Sequence, residues 1–299
     1  MRIRAYSRKW RCLFFILLGL ACTQLISARE EARQRFVGHT AVLGTWWWYV
    51  ELDEQNRHLD FAEQQGVTEI YYYTTFFGNN TGTFIEKARR RGMKVYLLFD
   101  DYRYIWNRRS FTRMMNRYLT YQKKAPENRK FSGLHLDIEP HQNPKFGENY
   151  QTFLQDYVDW AVWVCSDYRT AINDLAPGST IDFDLATWHY IDVIYRGKET
   201  KLYEAIIAEA DRVFVMAYRD SAAESYELAK PELDFAKSIH KQIVLGVETG
   251  RLEKDPHISY YGKGRYYFYE QLYELNGLAD YVNCGLSIHH ISSWYLMQP

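Results

Sequence analysis

Beyond its first forty residues the chain alternates short apolar runs with longer stretches in which apolar residues return every three or four positions. The short runs read as strands over Ala41–Trp47, Glu69–Thr74, Lys94–Phe99, Gly133–Ile138, Thr180–Leu185, Arg212–Met216, Gln242–Val247 and Gly285–His289. The longer stretches predict helices near His58–Gln65, Thr83–Arg91, Ser110–Gln122, Tyr150–Leu175, Lys201–Ala210, Ser221–His240 and Tyr266–Asp280. Gly66-Val67, Gly92-Met93 and Pro177-Gly178 punctuate returns from helix to strand. Eight strands alternating with helices over about 250 residues are the pattern of a single (β/α)8 TIM barrel. Its last helix has only Ser292–Pro299 to occupy, so it is expected to be truncated or absent. An open doubly wound sheet is the alternative, but no glycine-rich phosphate turn follows the first strand.

The first 28 residues stand apart from this pattern. Arg2, Arg4, Arg8, Lys9 and Arg11 form a basic leader, Leu13 to Ala21 is unbroken apolar sequence, and Ile26-Ser27-Ala28 supplies small residues for cleavage. This predicts a signal peptide over 1–28 and a barrel domain over 29–299, exported to the periplasm, the cell surface or the medium. The apolar run is short for a stable membrane span. Cys22 after Gly19-Leu20-Ala21 allows a lipoprotein alternative, and Asn79-Asn80-Thr81 is a candidate glycosylation site.

Charge narrows the function classes. Five of the 37 Lys and Arg residues and none of the 37 Asp and Glu residues fall in the leader, leaving 32 cations against 37 anions. That excess of five negative charges argues against nucleic acid as a partner. Arg89-Arg90-Arg91 sits at a helix end, where cations complement the dipole. Cys165 and Cys284 remain after the leader and match neither a disulfide framework nor a zinc spacing.

The fourth strand carries the candidate chemistry. Leu134, Leu136 and Ile138 alternate with His135, Asp137 and Glu139, so three ionisable side chains share one face. A solvated edge strand would explain that face blandly. In a barrel, however, the strand is enclosed and its C-terminal end opens on the active site. The other strand ends gather Trp46, Trp47 and Trp48, then Tyr73 and Thr74, then Asp100 and Asp101. Asp184, Trp188 and His189 follow, then Tyr218, Arg219 and Asp220, then Glu248, His289 and His290, with Trp294 just beyond. Carboxylates mixed with aromatics suit an oligo- or polysaccharide, which offers hydroxyls and apolar C–H faces, although any single aromatic could equally be core.

In these residues the chain resembles the chitinase-type glycoside hydrolases of family 18. Their fourth-strand signature Asp-Gly-x-Asp-x-Asp-x-Glu aligns with Ser132-Gly133-Leu134-His135-Leu136-Asp137-Ile138-Glu139, matching at Gly133, Asp137 and Glu139. Their Met-x-Tyr motif aligns with Met216-Ala217-Tyr218, with Asp220 close behind. Ser132 and His135 replace two aspartates, and Asp100-Asp101 stands where the family has Ser-x-Gly-Gly. The resemblance implies a retaining glycosidase in which the substrate's own 2-acetamido oxygen is the nucleophile. Glu139 would be the general acid and base, Asp137 would orient the acetamido N–H, and Tyr218 would donate to the acetamido oxygen. Asp184, on the neighbouring fifth strand, would tune Asp137 or share a proton with it.

Asp137, roughly 6–7 Å from Glu139 along the strand, would favour a protonated Glu139. His135 is expected to bond Asp137 from below or to be a satisfied core histidine. Trp46, Trp48, Tyr73, Asp100, Trp188, Asp220, Glu248, His289 and Trp294 would contact the glycan. Neither a cofactor nor a metal is expected, because adjacent residues such as His289 and His290 point to opposite faces of a strand. Two other readings keep the barrel. In one, Asp184, Asp220 or Glu248 serves as a protein nucleophile or base on another polysaccharide. In the other, the chain binds carbohydrate without turnover.

Overall fold

The computed structural model describes residues 40, 42–48, 50–188, 190–279 and 284–298. The expected leader, Ala41 of the first expected strand, His189 of the expected rim and Asp280 lie outside them.

Eight parallel strands close into a barrel: β1 (Leu43–Trp47), β2 (Glu69–Tyr73), β3 (Lys94–Phe99), β4 (Gly133–Leu136), β5 (Thr180–Leu185), β8 (Arg212–Val215), β9 (Gln242–Glu248) and β10 (Gly285–His289). Each pairs with its neighbour in this order, and β10 returns to β1 through Leu43 opposite Leu286 and Thr45 opposite Ile288. The helices α1 (Gln55–Gln64), α2 (Asn79–Arg90), α3 (Arg108–Lys124), α4 (Tyr150–Leu175), α5 (Leu202–Glu209), α6 (Ala222–Ser238) and α7 (Arg265–Ala279) run between the strands. The last helix, α8 (Ile291–Leu296), is truncated to six residues. Trp294 on it is fully buried and meets the rings of Phe61 and Phe268. Its expected place against the glycan is therefore corrected: Trp294 anchors the short helix in the outer layer.

The connection after β5 holds what the periodicity did not predict, an antiparallel hairpin of β6 (Asp192–Tyr195) and β7 (Lys198–Lys201). Its second strand is Lys-Glu-Thr-Lys and half exposed, so no apolar run marks it. The signal was the turn, where Arg196 and Gly197 take φ of 51° and 78°. Gln155 of α4 ties the hairpin down through both the N–H and the carbonyl of Ile194.

Alternation along each strand sends one set of side chains outward to the helices and the other into the barrel. Trp47 goes outward, against Phe84 and His58. The inward set is unusual at its lower end. Arg212 meets Asp182 at 2.6 Å and Glu69 at 2.9 Å, all three buried, and its guanidinium lies 4.9 Å from the Tyr96 ring. Asp182 is thus half of an ion pair, its carboxyl raised by burial in spite of the guanidinium. Above the triad Trp46, Tyr71, Tyr96, Leu98, Phe214 and Val244 fill the interior. Gly44 makes this possible, since a Cβ there would come within 1.9 Å of the Tyr71 hydroxyl.

Arg212→Met should cost about 3–5 kcal/mol in urea unfolding near neutral pH, because two buried carboxyls lose their cation. A cost below about 1 kcal/mol would mean that the triad contributes nothing to holding the barrel.

Candidate active site

The C-terminal mouth of the barrel collects the sequence-predicted carboxylates. Asp137 and Glu139 lie in the three residues that join β4 to a short 3-10 helix beginning at Pro140. Asp184 stands inside β5, whose residues pair with β4 through His135 opposite Asp182. Asp100 directly follows β3, and Tyr218 follows β8.

Asp184 is the best supplied of these groups. Its Oδ2 accepts the Trp46 Nε1–H at 3.1 Å and faces His135 Nε2 at 2.9 Å, with the His135 and Asp184 side chains both at 0% exposure. Burial drives the His135 ring down to about 3, so it is neutral and Nε2 carries the donated proton. This corrects one expectation: His135 bonds Asp184 on the neighbouring strand, not Asp137. Asp137 lies two residues further along the same strand, and side chains standing perpendicular to a strand do not reach each other at that spacing.

Asp137 and Asp184 lie close enough for their carboxyls to act on each other and to be linked by one proton. Two carboxylates can bond only through a proton, and Oδ1 of each is buried with no N–H or O–H donor among the described residues. Burial raises both carboxyls well above the ordinary carboxylate range, Asp137 further through the charges of Asp184, Glu139 and Asp100. The Trp46 and His135 N–H groups both aimed at Asp184 Oδ2 favour Asp184 as the anion, which leaves the proton to Asp137.

Glu139 is half-buried, its side chain 18% exposed. Gln142 donates its side-chain amide to it, and His141 Nε2 lies 3.7 Å away. Neither residue was singled out in the sequence, although both follow Pro140 directly. Tyr218 sits among carboxyls. Burial and then the charges of Glu248, Asp184, Asp137 and Glu139 raise its phenol, which keeps it a neutral O–H donor. Glu248 accepts from His289 Nδ1 at 2.7 Å and from the Gly250 N–H, and these contacts outweigh burial and hold it below its ordinary value. Burial raises Asp100, with the charge of Asp101 adding to it.

The expected glycan contacts divide by position. Tyr73 is 40% exposed and stacks on Trp48 with ring centres 5.5 Å apart, forming one aromatic wall. Trp188 stacks on Phe146 at 6.2 Å and meets His141 edge-on, forming another on the β4–β5 side. Trp46 is 1% exposed and lies beneath the mouth, so its expected role as a sugar platform becomes one of support for Asp184. Asp220 is paired with Lys263 at 2.8 Å. Asp101 caps the 3-10 helix that follows it, through the Arg103 N–H. Among the described residues no group of three or more His, Cys, Asp or Glu is placed to hold a metal ion, and no helix is long and apolar enough to cross a membrane.

No family model matches the sequence, and no curated protein matches it. Solved structures do match the fold. A putative alpha-L-fucosidase from Bacteroides thetaiotaomicron is 10% identical over 83% of this chain and 87% of its own, with a TM-score of 0.53. The spore cortex-lytic enzyme SleL of Bacillus cereus is 12% identical over 86% of this chain and 73% of its own, with a TM-score of 0.50. A family 18 chitinase from Cycas revoluta is 16% identical over 70% and 69%, with a TM-score of 0.45. The chain shares its barrel fold with the fucosidase and SleL structures.

The raised pair makes a prediction about stability. A carboxyl with a raised folded value binds its proton more tightly folded than unfolded, so its contribution is complete at acid pH and is lost as pH rises through the folded value. Asp137→Asn keeps the shape, donates to Asp184 and no longer titrates. The variant should melt higher than the parent near neutral pH, with the gap closing below about pH 4, where unfolded aspartates protonate. A gap that is constant with pH would refute the shared proton.

Proposed function

We propose that this barrel is a glycoside hydrolase acting on a glycan that contains N-acetylhexosamine, with retention and with the substrate's acetamido oxygen as nucleophile. The observation that carries this reading is the Asp137–Asp184 carboxyl pair, both members raised by burial, set beside the half-buried Glu139 in one mouth. Glu139 gives its proton to the glycosidic oxygen as the bond from that oxygen to C1 breaks. The acetamido oxygen bonds to C1 from the opposite face, and the resulting cyclic oxazolinium is opened by water, whose proton returns to Glu139. Two displacements at C1 leave its configuration unchanged.

The pair suits this chemistry because it keeps one negative charge in a dry place while Asp137 uses one oxygen on Asp184. The other oxygen of Asp137 accepts the acetamido N–H and faces the positive charge as it develops. Tyr218 supplies an O–H to the acetamido oxygen. The two aromatic walls, Trp48 with Tyr73 and Trp188 with Phe146, fit the apolar faces of sugars on either side of the carboxyls. The basic and apolar leader supports an exported enzyme that meets its polysaccharide outside the cytoplasm.

A second reading rests on Glu248, the carboxylate held below its ordinary value, as a protein nucleophile. Its contacts with His289 and the Gly250 N–H favour a supporting role instead.

Glu139→Gln should lower kcat on N-acetylated glycan by on the order of 10²- to 10⁴-fold, with glycan binding and melting temperature retained. Parallel loss of stability would make Glu139 structural, and unchanged turnover would remove it from the reaction. Tyr218→Phe should slow the chemical step by on the order of 10- to 1000-fold, with KM less affected.

The nucleophile is tested separately. A thiazoline analogue of the oxazolinium should inhibit strongly, and de-N-acetylated substrate should not be cleaved. A sugar trapped covalently on Glu248 would decide for the second reading.

A further inference from the structure

The two N–H groups on Asp184 Oδ2 point to a role for a residue outside the reacting set. We propose that His135 is the positioning residue of this site: together with Trp46 it fixes Asp184 as the acceptor of the carboxyl pair, so that Asp137 holds the proton and keeps an oxygen turned to the substrate. This deepens the reading of the mouth as a glycosidase site and rests on it for the substrate, though not for the proton.

Geometry leaves Asp184 little choice. His135 Nε2 at 2.9 Å and Trp46 Nε1 at 3.1 Å both engage Oδ2, which leaves Oδ1 as the oxygen without a protein donor. A carboxyl with two N–H groups aimed at one oxygen is favoured as the anion. Both donors are immobilised by packing. The His135 ring lies flat on Tyr71, with centres 4.0 Å and planes 13° apart, and meets Phe214 edge-on at 4.5 Å. Trp46 packs edge-on against Tyr71, His135 and His289. The backbone of Asp184 is held as well, since the Tyr157 hydroxyl of α4 donates to its carbonyl at 3.3 Å.

The replacement at this strand position also makes physical sense. A carboxylate at residue 135 would lie opposite Asp182 across the strands and beside Asp184, adding a third anion to a buried cluster. A neutral imidazole adds an N–H donor there instead. The strand thus supplies a donor where a second acid would repel, and the acid comes from β5.

The other groups facing the pair are Glu139 and Asp100 at the ends of β4 and β3, and His289 from β10. Tyr218 and Glu248 stand across the mouth. Beneath His135 lie Asp182, Glu69 and Arg212. None of these gives Asp184 Oδ2 a further hydrogen bond among the described residues.

The experiment compares His135→Leu, His135→Gln and Trp46→Phe with the parent by two readouts. The first needs no substrate: the infrared stretch of a protonated carboxyl is followed against pH, using the difference from Asp137→Asn. That subtraction removes other protonated acids such as Glu232, which burial pushes up to about 8. Loss of one N–H donor in His135→Leu or Trp46→Phe should move the pH at which the band disappears upward by about one unit. His135→Gln, whose amide can donate in place of the ring, should leave it near the parent's. Trp46→Phe keeps an aromatic ring in the interior, so it tests the donor even if His135→Leu fails to fold.

The second readout is the pH profile of kcat on N-acetylated glycan, whose alkaline limb should shift with the band. A fall in kcat equal at every pH, with the band unmoved in both donor-deleting variants, overturns the proposal and makes His135 a packing residue. A shifted band on a protein that ignores the thiazoline and N-acetylated glycan would support the positioning role while removing the substrate reading.

Discussion

Arg212 is the group on which the interior depends. A closed barrel has no room inside for water or for a mobile cation, and an isolated guanidinium there would be prohibitively desolvated. Glu69 and Asp182 meet it from two other strands, and Tyr71 and Tyr96 direct their hydroxyls at Glu69. The triad ties β2, β5 and β8 together at one level and neutralises most of its own charge. Aromatic rings can then be stacked on it as on an apolar floor. Everything above, from Trp46 to the carboxyls of the mouth, is placed by that layer.

Crowding at the mouth sets the chemistry. Asp100, Asp137, Glu139, Asp184 and Glu248 come within electrostatic reach of one another or of Tyr218, and that many anions cannot all be stable in a half-dry site. The structure relieves the repulsion in two ways. Glu248 takes His289 and a backbone N–H, whereas Asp137 and Asp184 keep a proton between them. What remains is a mouth of net negative character with one neutral phenol and Glu139, Asp137 and Asp100 half-buried around it. Such a place favours a cationic transition state over a neutral ground state, which is the electrostatic requirement of glycosidic cleavage.

Rings stacked in pairs are held rigidly, so under the proposed reading a sugar face meeting Tyr73 or Trp188 would cost little ordering of the protein. Trp46 shows the limit of counting aromatics as platforms. Its ring is spent on packing, and its N–H faces a carboxylate.

Much of this was legible in the sequence, because strand alternation and helical periodicity are local properties of the chain. All eight barrel strands, the order of the helices and the short last helix follow from it. So does the gathering of Asp137, Glu139, Asp184 and Tyr218 at one end, since parallel strands in a barrel place their C-termini together. The hairpin of β6 and β7 was not legible, because β6 is only four residues long and its partner β7 is polar and half exposed. Contacts between strands were not legible either. Which carboxyl His135 meets, whether Trp46 and Trp294 face sugar or core, and how Arg212 finds Glu69 143 residues away depend on barrel register and closure. Those are set by the packing of all eight strands at once, and no stretch of sequence contains that information by itself.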